Sequence, residues 1–519
     1  MRSEFSDEFN KLRNAELAST NDDTTEAHPT MDRNELYHQA CINVAQRYLN
    51  QANQLLGTQE TLDSDSFIAH VQQKPLLPYT LIADVSAVNF ARFNEEVPVA
   101  SPMQTRVYAR RYYPFDSLAF HTLGWVGLTD EYEDDDWEVE DLSKHSTFPY
   151  VGMTGLAGLE KTHNDTLTGK PGGEVWVVDP ANSRVQQEEQ KAPVPGQDFI
   201  CSIDSRLQKF AEDRLEHNPG TIGSIAAIDV RTGEVLILAS KPDFDLNETV
   251  PRFSSELLDN LQSTGGWLNR ATQGLYPPGS TFKIISSIAG LTSGNIDGNT
   301  ILDCPAYLTI DGQKFWDDSR QDNGKLGIVD AIATSNDVFF YQMGLKMKWP
   351  LINQWAHQLG LGQQTGIGIP ESIGLVPSPD VKKKHHPEDP AWRPSDDATF
   401  AFGQNDLLVT PLQMACVMAS VARNEMRTYP TLEHNPNLPP DAVTQHSTPL
   451  GLTPVERKLL LDGMEKATLP GFGTAQMVAI PGLRIAAKTG TAQWGPHKNT
   501  TIAWVVCFAI ARIWVALCA

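Results

Sequence analysis

The sequence predicts an α+β fold, and three stretches carry that prediction. Residues 224–228 and 234–239 are apolar runs on either side of Asp229-Val230-Arg231-Thr232-Gly233, the pattern of an antiparallel hairpin. From about Phe282 to Ser420 apolar residues recur at helical spacing, broken by Gly- and Pro-rich loops such as residues 359–370. Strand-like runs return at residues 483–487 and 503–509. Strands at both ends of a helical interior imply a sheet that unites distant parts of the chain.

In chain order, residues 1–33 are polar and charged, without apolar periodicity, and are expected to be disordered. They also lack the apolar core of a secretory signal or anchor. Leu36, Ala40, Val44, Tyr48 and Leu55 predict one or two amphipathic helices over residues 34–56. Residues 76–85 read as a strand, and Leu123-Gly124-Trp125-Val126-Gly127 as a second strand and turn. The acidic run 130–141 lacks the alternating ligands of a calcium loop and reads as a solvated, self-repelling loop. Ala192-Pro193-Val194-Pro195-Gly196-Gln197 is a linker, which divides the chain into residues 34–195 and 196–519. A chain of 519 residues exceeds what one core usually covers, so two or three domains are expected. Residues 205–215 form an amphipathic helix with Leu207, Phe210, Ala211 and Leu215 on its apolar face. Residues 502–519, apolar except for Arg512, read as buried strands rather than a membrane span.

The net charge of -23 argues against nucleic acid as a partner, since phosphate binding wants clustered Lys and Arg. The six cysteines are scattered, without C-x-x-C spacing, and read as small core residues.

Candidate chemistry starts at Tyr276-Pro277-Pro278-Gly279-Ser280-Thr281-Phe282-Lys283. The prolines and glycine end one element, and Ile284, Ile285, Ile288 and Leu291 begin a helix, so Ser280 lies at its mouth. Three residues is almost one turn, which places Lys283 on the same face as Ser280. Unpaired N–H groups and the helix dipole favour negative charge there. This is the geometry of a serine nucleophile with a lysine base, although the Ser-x-x-Lys spacing alone is common. Ser335-Asn336-Asp337 falls at a break between two helical runs, where a helix cap is the ordinary reading. Lys488-Thr489-Gly490-Thr491, on an expected edge strand, supplies a cation, two hydroxyls and a glycine that admits a ligand backbone.

The three motifs in this order form the signature set of the penicillin-recognising acyl-serine transferases. From about residue 76 to 509 the chain resembles a class B penicillin-binding protein, and within that class the elongation-type peptidoglycan D,D-transpeptidases. The likeness extends to Arg111-Tyr112-Tyr113-Pro114, Gly158-Leu159-Glu160, Asn269-Arg270-Ala271-Thr272-Gln273-Gly274 and Leu407-Leu408-Val409-Thr410-Pro411-Leu412-Gln413. Asp337, where division-type relatives carry Asn, and Phe340-Tyr341-Gln342 point to the elongation subfamily.

The resemblance implies a transpeptidase domain, an antiparallel sheet with a helical subdomain, behind an elongated α+β pedestal of the dimerisation type. It implies that Ser280 attacks the bond between the terminal D-alanines of a stem peptide and gives its proton to Lys283. Ser335 would pass a proton to the leaving D-alanine, with Asp337 holding Lys283 and Ser335 in place. Lys488 and Thr489 would receive the donor carboxylate, beside Gly490. The N–H groups of Ser280 and Thr491 would form the oxyanion hole. D-Ala-D-Ala carboxypeptidase activity would be possible at the same site. β-Lactams would acylate Ser280, and no metal or organic cofactor is needed. The implied partners are a polytopic glycan polymerase and elongation scaffold proteins, reached through the pedestal, at the periplasmic face of the bacterial inner membrane.

The chain departs from the family pattern at Asn405, which replaces a glycine and is expected to take a glycine-like backbone, and at Ala487. After Phe508 it no longer follows the family, so a truncated C-terminus with an uncovered sheet face is expected. A β-lactam sensor or serine β-lactamase, and an inactive scaffold, are the competing functions. Asp303, Cys304, Asp317 and Asp318 lack a histidine beside them and read as surface groups rather than a metal site. His385-His386 reads as part of an exposed loop.

Overall fold

The computed structural model describes residues 2–518 apart from 20–30, 74–77, 84, 99–100, 106–109, 130–151, 171, 179–183, 218–221, 251, 440, 495–499 and 511–513. The acidic run 130–141 lies outside the described residues. The chain forms two compact units: Met1–Arg110, Thr129–Val151 and Lys170–Val194 make the first, and Arg111–Leu128, Gly152–Gly169 and Pro195–Ala519 the second.

The first unit corrects the expectation of disorder over residues 2–19, because Arg2–Ser19 is a helix, α1, while 20–30 lie outside the described residues. It packs on α2, a single helix over Arg33–Leu56 that starts with an Asp32 capping box. Phe5 is buried with Cys41, Val44, Ala45 and Phe67, and Glu4 accepts hydrogen bonds from Arg47 and Tyr48. One buried phenylalanine and an ion pair hold a helix whose polar composition hides it. Residues 78–83 carry no strand, against expectation. Strands Gly173–Val178 and Arg184–Lys191 form an antiparallel pair.

Segments 111–128 and 152–169, which fall within the expected pedestal, pack in the second compact unit. Tyr113, Phe120 and Val126 join Leu246, Val250, Leu257 and Leu261 in one apolar cluster, and Arg111 pairs with Glu160 at 2.7 Å. Burial of such side chains, at about 1.5–3 kcal/mol each, outweighs their place in sequence.

The second unit is built on a five-stranded antiparallel sheet. Its strands are β1 (Gly223–Asp229), β2 (Val235–Lys241), β3 (Ile485–Trp494), β4 (Thr500–Ala509) and β5 (Trp514–Cys518), in the order β3-β4-β5-β1-β2. The apolar C-terminal residues are therefore strands, and β5 pairs on one side with β4 and on the other with β1. No helix among the described residues is long and apolar enough to cross a membrane.

Helix α3 (Ser205–Glu216) packs on β2, but not with the expected face. Gln208, Ala211, Glu212 and Leu215 are buried, whereas Leu207 and Phe210 are exposed. Polar Gln208 can face the sheet because its Oε1 accepts from the Leu238 N–H at 2.8 Å and its Nε2 donates to Glu212 at 2.7 Å.

The main core lies between the sheet and the helices α4 (Lys283–Thr292), α5 (Ile328–Ala333), α6 (Asp337–Gln358), α7 (Pro411–Arg423) and α8 (Pro454–Lys466). The helical interior also holds a small hairpin, Tyr307–Ile310 with Gln313–Trp316.

Candidate active site

Ser280 sits in a 3-10 turn, Gly279–Phe282, and Lys283 is the first residue of α4. In a 3-10 turn residues i and i+3 eclipse, so the expected shared face survives the change of helix type. Several contacts strap the turn in place. The Gly279 N–H donates to the Gly403 carbonyl at 2.9 Å, and Trp504 Nε1 donates to the Pro277 carbonyl at 3.0 Å. Edge strand β3 runs alongside. A Cβ on Gly490 would come within 2.9 Å of the Pro278 carbonyl, and one on Gly279 within 2.8 Å of the Thr491 carbonyl. Gly490 thus lets the strand lie against the serine turn, and exposed Thr491 follows it on the same edge.

Lys283 is fully buried. Its Nζ donates to Asp337 Oδ1 at 2.6 Å, to the Ser335 carbonyl at 2.6 Å and to Ser335 Oγ at 3.3 Å. Three donors therefore go to the Ser335 loop, and among the described residues none of the hydrogen bonds reaches Ser280 Oγ. The expected direct bond between nucleophile and base is absent in this state.

Ser335 lies between α5 and α6, as expected, with φ of 59°. A non-glycine residue in this region carries strain of about 1–3 kcal/mol. Neighbouring bonds fix it: the Asn336 N–H donates to Ala331 O at 3.0 Å, and Asn336 Oδ1 caps α6 by accepting from Phe339 N–H at 2.8 Å. The strain aims Ser335 Oγ at two lysines at once.

The second is Lys488, also fully buried. Its Nζ donates to Ser335 Oγ at 2.7 Å and to the Thr489 carbonyl at 2.8 Å. Burial, and then the Lys283 charge, hold the Lys488 ammonium well below the usual lysine range, with Asp337 opposing. Its neighbour Thr489 is only partly buried.

Asp317 is a site residue that sequence reasoning missed. Expected at the surface, it is 4% exposed. Its Oδ2 accepts from the Asp337 N–H at 2.8 Å and its Oδ1 from Ser319 Oγ at 2.5 Å, while the Asp318 N–H donates to Asp337 Oδ2 at 3.2 Å. The loop thus clamps the carboxylate that pairs with Lys283. The Asp-x-Ser spacing of an Asx turn was its one local signal. Among the described residues, no group of three or more His, Cys, Asp or Glu could hold a metal ion.

Asn405 has φ of 72°, the glycine-like backbone expected of it. Ala487 is buried with Ala467, Ala475 and Ile485, so its methyl fills space. The expected exposed loop at His385-His386 is instead the end of a helix, Pro379–His385, with His386 bonded to Asp406 at 2.8 Å.

Residues 223–516 match the penicillin binding protein transpeptidase domain. This chain belongs to the penicillin-binding protein family. Residues 13–200 match the penicillin-binding protein dimerisation domain, so this penicillin-binding protein has the two-part organisation that its motifs suggested. It is 32% identical over 426 residues to the peptidoglycan D,D-transpeptidase MrdA of Acinetobacter baumannii, a match covering 79% of this chain and 60% of that protein. With MrdA of Escherichia coli K12 it shares 30% identity over 434 residues, covering 80% of this chain and 67% of the relative. The chain thus spans about two thirds or less of these relatives' length. Among solved structures it is similar to Helicobacter pylori PBP2 in complex with MreC, with a TM-score of 0.74 and 26% identity, covering 92% of this chain and 87% of that one. Pseudomonas aeruginosa PBP2 in complex with WCK 5153 matches with a TM-score of 0.64 and 28% identity, covering 80% of this chain and 88% of that one. The resemblance to elongation-type class B penicillin-binding proteins holds across these comparisons.

Proposed function

We propose that this chain is an elongation-type peptidoglycan D,D-transpeptidase whose nucleophile is Ser280. The observation that carries this reading is the convergence of Lys283 and Lys488 on Ser335 Oγ, with Asp337 paired to Lys283, beside a serine turn lodged against an edge strand.

Ser280 Oγ attacks the carbonyl between two terminal D-alanines while its proton passes to Lys283. The C–N bond breaks, an ester to Ser280 forms, and D-alanine leaves as an amine that takes a proton through Ser335. Ser335 Oγ, within hydrogen-bond reach of both lysines, suits a relay between base and leaving group. The N–H groups of Ser280 and Thr491 are the proposed oxyanion donors. An amine from a neighbouring stem peptide then attacks the ester, forms the new amide and returns the proton to Ser280. Lys488 and Thr489 serve the donor carboxylate, Thr489 through its hydroxyl and Lys488 through its proximity.

β-Lactams acylate the same serine. By likeness to the Helicobacter pylori protein solved with MreC, the dimerisation region is the proposed contact for elongation scaffold proteins and a polytopic glycan polymerase. The proposed setting is the periplasmic face of the inner membrane.

Covalent labelling by a fluorescent penicillin tests this, read by gel and intact mass with Ser280→Ala as control. A stable adduct on the parent, lost in the variant, is expected. A folded parent that takes no label would overturn the reading in favour of an inactive scaffold, and rapid release of hydrolysed drug in favour of a β-lactamase.

A further inference from the structure

Thr474 belongs to none of the three motifs, yet its Oγ1 accepts a hydrogen bond from the Thr489 hydroxyl at 2.8 Å, a bond that must reverse if Thr489 is to donate elsewhere. The loop after α8 that carries it is tightly set. The Thr474 N–H donates to the Ala333 carbonyl at 3.3 Å and the Ala475 N–H to the Ala467 carbonyl at 2.8 Å. A Cβ on Gly473 would fall 2.0 Å from that Ala467 oxygen, so the loop closes there only with glycine. Ala333 is the last residue of α5, two before Ser335. Thr474 is thus anchored to the helix end that presents Ser335, and its hydroxyl reaches across to β3.

Each threonine hydroxyl has one proton and two acceptor lone pairs. The two share one O–H, which leaves a single O–H for any third group. An ionised carboxylate only accepts, so Thr489 can bind one only by turning its own proton outward. It must then take the Thr474 proton in exchange. Lys488 does not replace this hydroxyl, since its fully buried Nζ is engaged with Ser335 Oγ and the Thr489 carbonyl.

We infer that Thr474 is a positioning residue for carboxylate recognition: it donates to Thr489 Oγ1 and commits the Thr489 O–H to the ligand carboxylate. Two hydroxyls in series polarise in one direction, which strengthens the terminal bond to the anion. This role rests on the acyl-serine site proposed above and adds a determinant of specificity for acidic acyl donors.

The test compares second-order acylation rates of the parent, Thr474→Val and Thr474→Ser with benzylpenicillin and with its methyl ester, by intact mass. Valine keeps the shape of threonine and removes the proton. The expected result is a fall of about tenfold for Thr474→Val with benzylpenicillin, an unchanged rate with the ester, and recovery in Thr474→Ser. An equal fall with both reagents would mean a merely structural loop and overturn the role, as would no fall with either or a serine variant that fails to recover. Failure of the underlying site reading looks different: the parent would take neither reagent, or Ser280→Ala would still be labelled.

Discussion

The second unit buries two groups of charged side chains, one around Ser335 and one where α3 meets β2. In the first, Lys283 and Lys488 are both fully buried and Asp337 pairs with Lys283. In the second, Lys241 pairs with Asp243 at 2.6 Å and with Glu216 at 3.5 Å, while Glu212 lies nearby and is bonded to Gln208. The surplus group of the first is Lys488, bonded to Ser335 and the Thr489 carbonyl rather than to a carboxylate, and that of the second is Glu212, bonded to Gln208 and the Ala119 N–H rather than to a cation. Each surplus is relieved by a shift toward the neutral form: burial lowers the Lys488 ammonium well below its usual range and pushes the Glu212 carboxyl up to about 7. The same desolvation thus acts on both, and position decides its use. At Ser335 the strained hydroxyl converts it into a proton path. At Glu212 the partners are the Gln208 amide and the Ala119 N–H at 2.9 Å, and the effect is one of stability.

The largest expected effect breaks the first cluster. Asp337→Ala leaves Lys283 buried without its carboxylate and should destabilise the protein by about 3–5 kcal/mol, while acylation by penicillin falls at least about a hundredfold. Chemical denaturation and adduct kinetics would measure the two, and a variant as stable as the parent would show that the pair adds little to the fold.

The next effect separates the clusters by pH. The Glu212 carboxyl binds its proton more tightly when folded, about 7 against the ordinary 4.5. Its stability contribution is complete below the unfolded value and is lost as pH rises through the folded one. Glu212→Gln keeps the acceptor for Gln208 and Ala119 without the charge. It should match the parent near pH 4.5 and exceed it by about 2 kcal/mol at pH 8, measured by denaturant midpoints across that range. Equal midpoints at pH 8 would place the negative charge in a better-solvated site than the geometry implies.

The smallest effect sharpens the link between strain and use. Ser335→Gly relieves a φ of 59° and should stabilise the fold by about 1 kcal/mol. Acylation should nevertheless fall about a hundredfold, because the hydroxyl between the lysines is gone. Gain in stability with unchanged labelling would remove Ser335 from the proton path.

These clusters also mark what could be read from residues alone. Ser280 with Lys283, and Lys488 with Thr489 and Gly490, are close in sequence, so short-range spacing carries them. The helix break at Ser335 was visible for the same reason. Asp317 was not, because its role depends on a loop brought beside the start of α6. Glu212 was not legible either, because hydropathy gives the buried face to Leu207 and Phe210 rather than to Gln208 and Glu212. The structure reverses this through the Gln208 bonds to Leu238 and Glu212. Helix α1 was hidden likewise, its polar residues outnumbering Phe5, which anchors it.

The strand order has a consequence for how the molecule is made. Strand β5 lies between β4 and β1, although residues 514–518 follow β1 only after the whole helical interior. The β1–β2 hairpin can form early, but the edge of β1 that will receive β5 stays open while the whole helical interior is translated. At about 5–20 residues per second this interval is on the order of tens of seconds. An open strand edge is a template for pairing with other chains. The sheet that carries Lys488 is therefore closed by contacts of very long sequence separation, and its assembly is expected to be the slow, aggregation-exposed stage of biogenesis.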